Sequence, residues 1–159
     1  MTIERSTTLE THLRDLMPDL LRYFVRRLDD REDAADALSE TLIVLWRKQR
    51  SLPTDEEGIR RYAFGVARNV LAAARRGRVK HRVIADALAL ELAVASDVDT
   101  DPDLEAALQK LPERDRELVL LVAWEGFGVA EAGAVLGLKP DAARARYSRA
   151  RARLREILA

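Results

Sequence analysis

Six arginines (Arg144, Arg146, Arg149, Arg151, Arg153 and Arg155) crowd into one short stretch of this sequence. A guanidinium stays charged at any physiological pH. It carries a planar fork of donors that fits phosphate oxygens and the guanine edge. Just before the arginines lies the turn Gly137-Leu138-Lys139-Pro140-Asp141, and before that an Ala- and Val-rich helical pattern from Val129 to Leu136. Helix, tight turn and basic helix are the parts of a helix-turn-helix, which lays its second helix on DNA. The chemistry these residues can do is recognition of nucleic acid.

The basic helix is predicted over Pro140 to Leu158. At about 100° per residue, Ala143, Tyr147, Ala150, Leu154, Ile157 and Leu158 form one apolar stripe, expected to face a core. The opposite face centres on the small residues Ala145, Ser148 and Ala152. Arg144, Arg151 and Arg155 flank it on one side, and Arg146, Arg149 and Arg153 on the other. Small residues in the middle would let the backbone approach a groove. Arginines on both flanks would reach its phosphate walls or the bases at its floor. The plainer reading is a solvated helix whose arginine stems cover the core.

Catalysis is poorly supported. His12 and His81 are the only histidines, and there is no cysteine, which excludes disulfides and thiolate metal sites. No Gly-rich phosphate loop occurs, and no carboxylate pair has a partner at useful spacing. The expectation is no enzyme, no metal, no cofactor and no small-molecule substrate. The first residues, MTIERSTTLETHL, lack a signal-peptide core. No apolar run reaches about eighteen residues. A cytoplasmic protein without membrane insertion is therefore expected.

The formal net charge of zero hides segregation. Residues 51–84 hold eight Lys/Arg against three Asp/Glu, residues 85–105 hold seven Asp/Glu and no Lys/Arg, and residues 126–159 hold seven Lys/Arg against three Asp/Glu. Two basic blocks flank an acidic one. Only the basic blocks suit phosphate.

Aromatics make up 5% of the chain, while Ala, Leu, Arg and Glu abound. That composition favours helices. Leu13, Leu16, Met17, Leu20, Phe24 and Leu28 have helical spacing, with a break expected near Met17 and a new helix from Pro18. A second helix is predicted over Arg31 to Lys48, with Leu38, Leu42, Leu45 and Trp46 inward. Ser51 to Gly58 reads as a loop. A third helix is predicted over Ile59 to Arg76, with Tyr62, Val66, Val70 and Ala73 on one stripe. It ends in the basic run Arg75 to Arg82, followed by a weak helix over 83–95 and the acidic stretch SDVDTDPD over 96–103. Further helices are predicted over Leu104 to Lys110, Pro112 to Trp124 and Val129 to Leu136. No strand-like alternation appears. The chain is expected to be all-α: two small helical domains, 9–83 and 104–159, joined by a flexible acidic linker, 84–103.

The stretch LPERDRELVLLVAWEGFGVAEAGAVLGLKPDAARARYSRARARLREIL, residues 111–158, resembles region 4 of the extracytoplasmic-function (ECF) sigma factors. The Leu-Pro-x-x-x-Arg, Trp-Glu-Gly, Ala-Glu, Leu-Gly and Ser-Arg-Ala-Arg elements sit at that family's spacing. In the other half, REDAADALSETLIVLWR resembles the family's PEDAEDLVQETFLRLWR, and IRRYAFGVARNVLAAARR resembles its RAWLFRIARNLAIDLLRR. These are region 2 patterns. The resemblance implies a helical region 2 bundle and a region 4 helix-turn-helix. It implies a promoter-recognising subunit that binds core RNA polymerase through the β′ clamp helices and the β flap. Region 4 would read the upstream promoter element in the duplex. Region 2 would melt the downstream element and capture a flipped base, and an anti-sigma partner is commonly present.

Carried onto this chain, the resemblance assigns polymerase contact to Asp36, Ser39, Glu40 and Arg47. Trp46 completes the Trp-Arg pair, with core packing as its plainer reading. Ser39 stands where the family usually has glutamine. Downstream-element contact falls to Arg60, Arg61, Arg68 and Asn69. Tyr62 and Phe64 occupy the family's aromatic positions, with core as the plainer reading. Ala73 replaces a usual aspartate. The loop Arg50 to Gly58, expected to meet the flipped base, carries Asp55, Glu56 and Glu57 and is unusually acidic. Upstream-element contact falls to Arg144, Ala145, Arg146, Ser148, Arg149 and Arg153, with Arg146 and Arg153 better suited to phosphate or helix packing. Two other classes compete: a helix-turn-helix regulator with an unrelated N-terminal helical domain, and a helical adaptor whose arginines only solvate.

Overall fold

The computed structural model describes the backbone of residues 2–76 and 101–159, with side chains from residue 8 onward. The basic run beyond Arg76, the weak helix over 83–95 and most of the acidic linker lie outside the described residues. Among the described residues there are seven helices: α1 (Thr2–Val25), α2 (Arg31–Arg47), α3 (Glu56–Arg76), α4 (Pro102–Gln109), α5 (Glu113–Ala123), α6 (Val129–Val135) and α7 (Pro140–Leu158). Among the described residues there is no strand. None of the helices is long and apolar enough to cross a membrane. Contacts divide the chain into two compact units, one holding α1 to α3 and the other α4 to α7.

In the first unit α1, α2 and α3 each pack on the other two. Leu20, Phe24, Leu38, Leu45, Ala63, Phe64 and Ala67 are fully buried. Tyr23 meets the edges of Phe24 and Phe64, with centroids 5.2 and 5.5 Å apart, a favourable aromatic geometry. Phe64 is therefore core, and Tyr62 is half-buried. The expected break at Pro18 does not occur: α1 runs through it. Proline removes one amide and leaves the carbonyl four residues back, on Arg14, without its helical donor, at a cost of about 3 kcal/mol. The Arg14 side chain is highly exposed, so that carbonyl lies on the solvent side. Leu13, Leu16, Leu20 and Leu21 are buried on both sides of the proline, and each buried leucine contributes about 1.5–3 kcal/mol. Burial outweighs the lost bond.

The start of α3 also departs from expectation. The helix begins at Glu56, not Ile59. The Asp55 carboxylate accepts from the Gly58 amide at 2.9 Å, and the Asp55 carbonyl accepts from the Ile59 amide. Asp55 is the N-cap, and Glu56 and Glu57 occupy the first turn, where the helix dipole favours negative charge. The acidity assigned to a base-capturing loop serves to start a helix. Gly58 has no room for a side chain: a Cβ there would lie 2.5 Å from Asp55 and 2.7 Å from Pro53. The inward stripe is rotated as well. Val66 and Val70 are buried beside Ala63, Ala67 and Leu71, while Ala73 is exposed.

The second unit has a core of Ala107, Leu108, Leu111, Val119, Leu120, Ala150 and Leu154, with Leu104, Trp124, Tyr147 and Ile157 packed against it. Asp101 caps α4 by accepting from the Asp103 amide. At the other end of α4, Arg116 donates to the Leu108 and Leu111 carbonyls, at 3.0 and 3.2 Å. The Leu108 carbonyl also accepts from the Leu111 amide at 3.1 Å, but Pro112, four residues on, has no amide to offer it; the arginine of the Leu-Pro-x-x-x-Arg element thus ties α5 to the end of α4.

Candidate nucleic-acid and protein interfaces

The turn between α6 and α7 sets the basic helix. After α6 the Leu138 amide donates to the Gly133 carbonyl at 2.7 Å, and the Gly137 amide to the Ala134 carbonyl at 3.1 Å. This is the paired closure of a Schellman motif. It requires a left-handed residue, and Gly137 sits at φ +75°. Pro140 then opens α7, its fixed φ suited to a first helical position. Gly133 lets the two helices close: a Cβ there would come within 2.3 Å of the Ala143 Cβ.

On α7, Ala143, Ala150 and Leu154 are buried, and Tyr147 and Ile157 are half-buried. Leu158, expected in this stripe, is 48% exposed at the last residue of α7. The opposite face is open. Arg144, Ala145, Ser148, Arg149, Arg151, Ala152, Arg153 and Arg155 are all exposed. Arg146 differs: it is half-buried and donates to Asp115 of α5 at 3.0 Å. Its guanidinium braces α7 against α5. Arg144 donates to Asp141, one turn earlier, at 2.7 Å. The Arg151 guanidinium lies 5.7 Å from the Tyr147 ring centre.

A second basic face lies on α3. Arg61 and Asn69 are exposed and Arg60 and Arg68 half-buried. Arg60 leans over the Phe64 ring at 5.2 Å. Arg61, Arg68 and Arg75 recur every seven residues, so they form one row with steps of about 10 Å. Arg75 and Arg76, both exposed, belong to this face. The sequence reading placed them in a terminal basic run; their seven-residue offset from Arg61 and Arg68 is the signal that joins them to it.

The residues expected to meet a protein partner do not lie together. Asp36 and Ser39 are buried, at 1% and 2% exposure. The Ser39 hydroxyl donates to the Ala35 carbonyl at 3.0 Å. Both sit on the side of α2 that packs into the bundle, so neither offers a contact surface. Glu40 is half-buried and Arg47 exposed. Glu40, Ile43 and Arg47 share one face, within about 60° around the helix axis. Trp46, expected inward, is 43% exposed. It lines a groove of about 420 Å³ between α1 and α2 with Leu13, Met17, Leu42 and Ile43, rimmed by Glu10, Arg14 and Arg47. Solitary exposed apolar residues are ordinary, but a tryptophan in an apolar groove with a charged rim is a protein-contact feature.

Comparison with known proteins adds identity to this geometry. Residues 12–81 match the family model of Sigma-70 region 2, and residues 102–154 that of Sigma-70, region 4. The chain is 35% identical to the ECF RNA polymerase sigma factor SigF of Caulobacter vibrioides over 138 residues, covering 82% of this chain and 74% of that one. Two solved structures share the fold. One is the sigma factor RpoE in complex with the anti-sigma factor NepR from Bartonella quintana, with TM-score 0.67, 23% identity and coverage of 94% and 96% of the two chains. The other is CnrH in complex with the cytosolic domain of CnrY, with TM-score 0.61, 26% identity and coverage of 99% and 89%.

Proposed function

The chain belongs to the ECF family of RNA polymerase sigma factors, and from that premise we propose which of its surfaces does each part of the work. A sigma factor directs core polymerase to promoters and brings no catalysis of its own. The observation that carries the reading is the pairing, in order on one chain, of region 2 and region 4 matches, each on a unit with an exposed basic face. The match over 12–81 removes the rival reading of a regulator with an unrelated N-terminal domain.

In this proposal the open face of α7 enters the major groove at the upstream element. Arg144, Ala145, Ser148 and Arg149 approach the bases, and Arg153 reaches phosphate. Arg146 acts by holding α7 in place. The α3 row of Arg61, Arg68 and Arg75, with Asn69 and Arg60, takes the downstream element as it opens. The groove around Trp46, with Arg47 and Glu40 beside it, docks on the polymerase. The domains divide as 9–83 and 104–159 with a linker between them. That CnrH was solved in complex with the cytosolic domain of CnrY supports a protein partner for this chain too, and membership of the family makes a regulator of the anti-sigma type our reading of it.

The test is reconstituted transcription. Core polymerase with this chain should initiate at discrete sites that share a two-part sequence, and core polymerase alone should not. Failure to initiate specifically from any fragment of the source genome would sink the assignment.

A further inference from the structure

We propose that Asp141 is a positioning residue for sequence recognition: its carboxylate orients Arg144 toward a guanine edge and keeps it off the phosphates. The inference rests on the assignment of α7 to the upstream element. Asp141 lies in the first turn of α7, and N-terminal residues of a recognition helix are those that reach base edges. Around the helix it falls about 60° from Arg144, between Ser148 and Ala152, in the centre of the small-residue face. Its negative charge suits the first turn of α7, but its side chain is 99% exposed, and among the described residues the side chain bonded to it is that of Arg144. The only other carboxylate on α7 is Glu156, about 22 Å further along the axis.

A carboxylate in this position is repelled by phosphate, and on charge alone it weakens binding to any DNA. Toward DNA it is useful only where it accepts hydrogen bonds. The Arg144 guanidinium already donates to it at 2.7 Å. In water such an exposed pair adds little stability. Against a groove floor, with water displaced, the same contact fixes the plane of the fork. A fixed fork can place its remaining donors on guanine O6 and N7 together. An untethered arginine can instead swing to the phosphate wall. Among the described residues, no carboxylate is bonded to Arg149, Arg151, Arg153 or Arg155. Arg146 has one, but it is spent against α5. Arg144 is thus the α7 arginine held on the open face.

The experiment selects from a promoter library randomised across the upstream element, using core polymerase reconstituted with the full chain as wild type, Asp141→Asn or Arg144→Ala. Asp141→Asn keeps the shape and removes the charge. It should lower base discrimination by roughly tenfold at one position, the same position that Arg144→Ala flattens. It should also raise affinity for unselected DNA and steepen the salt dependence by about one phosphate contact. Unchanged preference at every position, with or without a gain in general affinity, would overturn the inference and leave Asp141 a surface charge. A preference lost at a position other than that of Arg144 would overturn the tether. If the wild-type holoenzyme selects no sequence at all, the sigma reading itself fails.

Discussion

At the residue scale, residues of one expected class fall into different roles once their exposure is known. Arg144, Arg146 and Arg149 were all expected at the upstream element, with Arg146 better suited to phosphate or helix packing. In the fold one is tethered on the open face, one braces α7 against α5, and one is exposed. Asp36 was expected at a polymerase contact, but it is 1% exposed. Reversing its charge would test folding, because an arginine at that site would have to be buried. The informative substitution is Trp46→Ala. At 43% exposure Trp46 contributes little to the core, so the melting temperature should move by no more than a few degrees. Binding to core polymerase should weaken by about 2 kcal/mol, as expected for a tryptophan at the centre of an interface. A competition titration against wild type would measure it, and unchanged affinity would remove the α1–α2 groove from the docking surface. The periodicity of α2 could not place Trp46. Leu45 and Trp46 are adjacent, both apolar, and only the position of α1 decides which one is covered.

At the element scale, the helix-turn-helix depends on small residues as much as on charged ones. Gly133→Ala would drive a Cβ to within 2.3 Å of the Ala143 Cβ, and α6 would have to separate from α7. Overpacking of this kind costs about 1–3 kcal/mol. Gly65 in α3 makes the opposite case, with open space where its Cβ would lie. Gly65→Ala should stabilise by about 0.5–1 kcal/mol, the helical cost of glycine. Thermal unfolding of the two variants should therefore shift in opposite directions. A Gly133→Ala chain as stable as wild type would contradict the close packing described for α6 and α7. Element positions were largely legible: α5, α6 and α7 lie within a residue or so of their predicted spans. The failures have physical causes. Pro18 was read by its local penalty, which four buried leucines override. Asp55, Glu56 and Glu57 were read as a loop because acidic clusters suit both loops and helix starts. The hydrogen bond from Gly58 to Asp55 separates the two.

At the scale of the whole molecule, zero net charge is the sum of two basic faces and compensating acidic residues. The free chain should therefore bind duplex DNA weakly, with affinity falling as salt rises by about 0.9 log units per log unit for each phosphate contacted. The holoenzyme should bind promoter fragments specifically at salt where the free chain no longer binds. Measuring both against salt concentration checks this, and specific, salt-resistant binding by the free chain would argue for a self-sufficient regulator. From sequence alone came the helical class, the two-unit organisation, the helix-turn-helix and the family resemblance. These rest on periodicity, turn residues and motif spacing, which are local and survive in a linear string. The stripes of α1 and α7 were legible in their spacing, but the tertiary structure decided which sides of α2 and α3 are buried. It hid Asp36 and Ser39, exposed Trp46, assigned Arg116 and Arg146 to bracing, and left Arg144 with Asp141 on the open face of α7. Burial depends on which helix packs on which, and that is set by long-range contacts that no spacing within a single helix records.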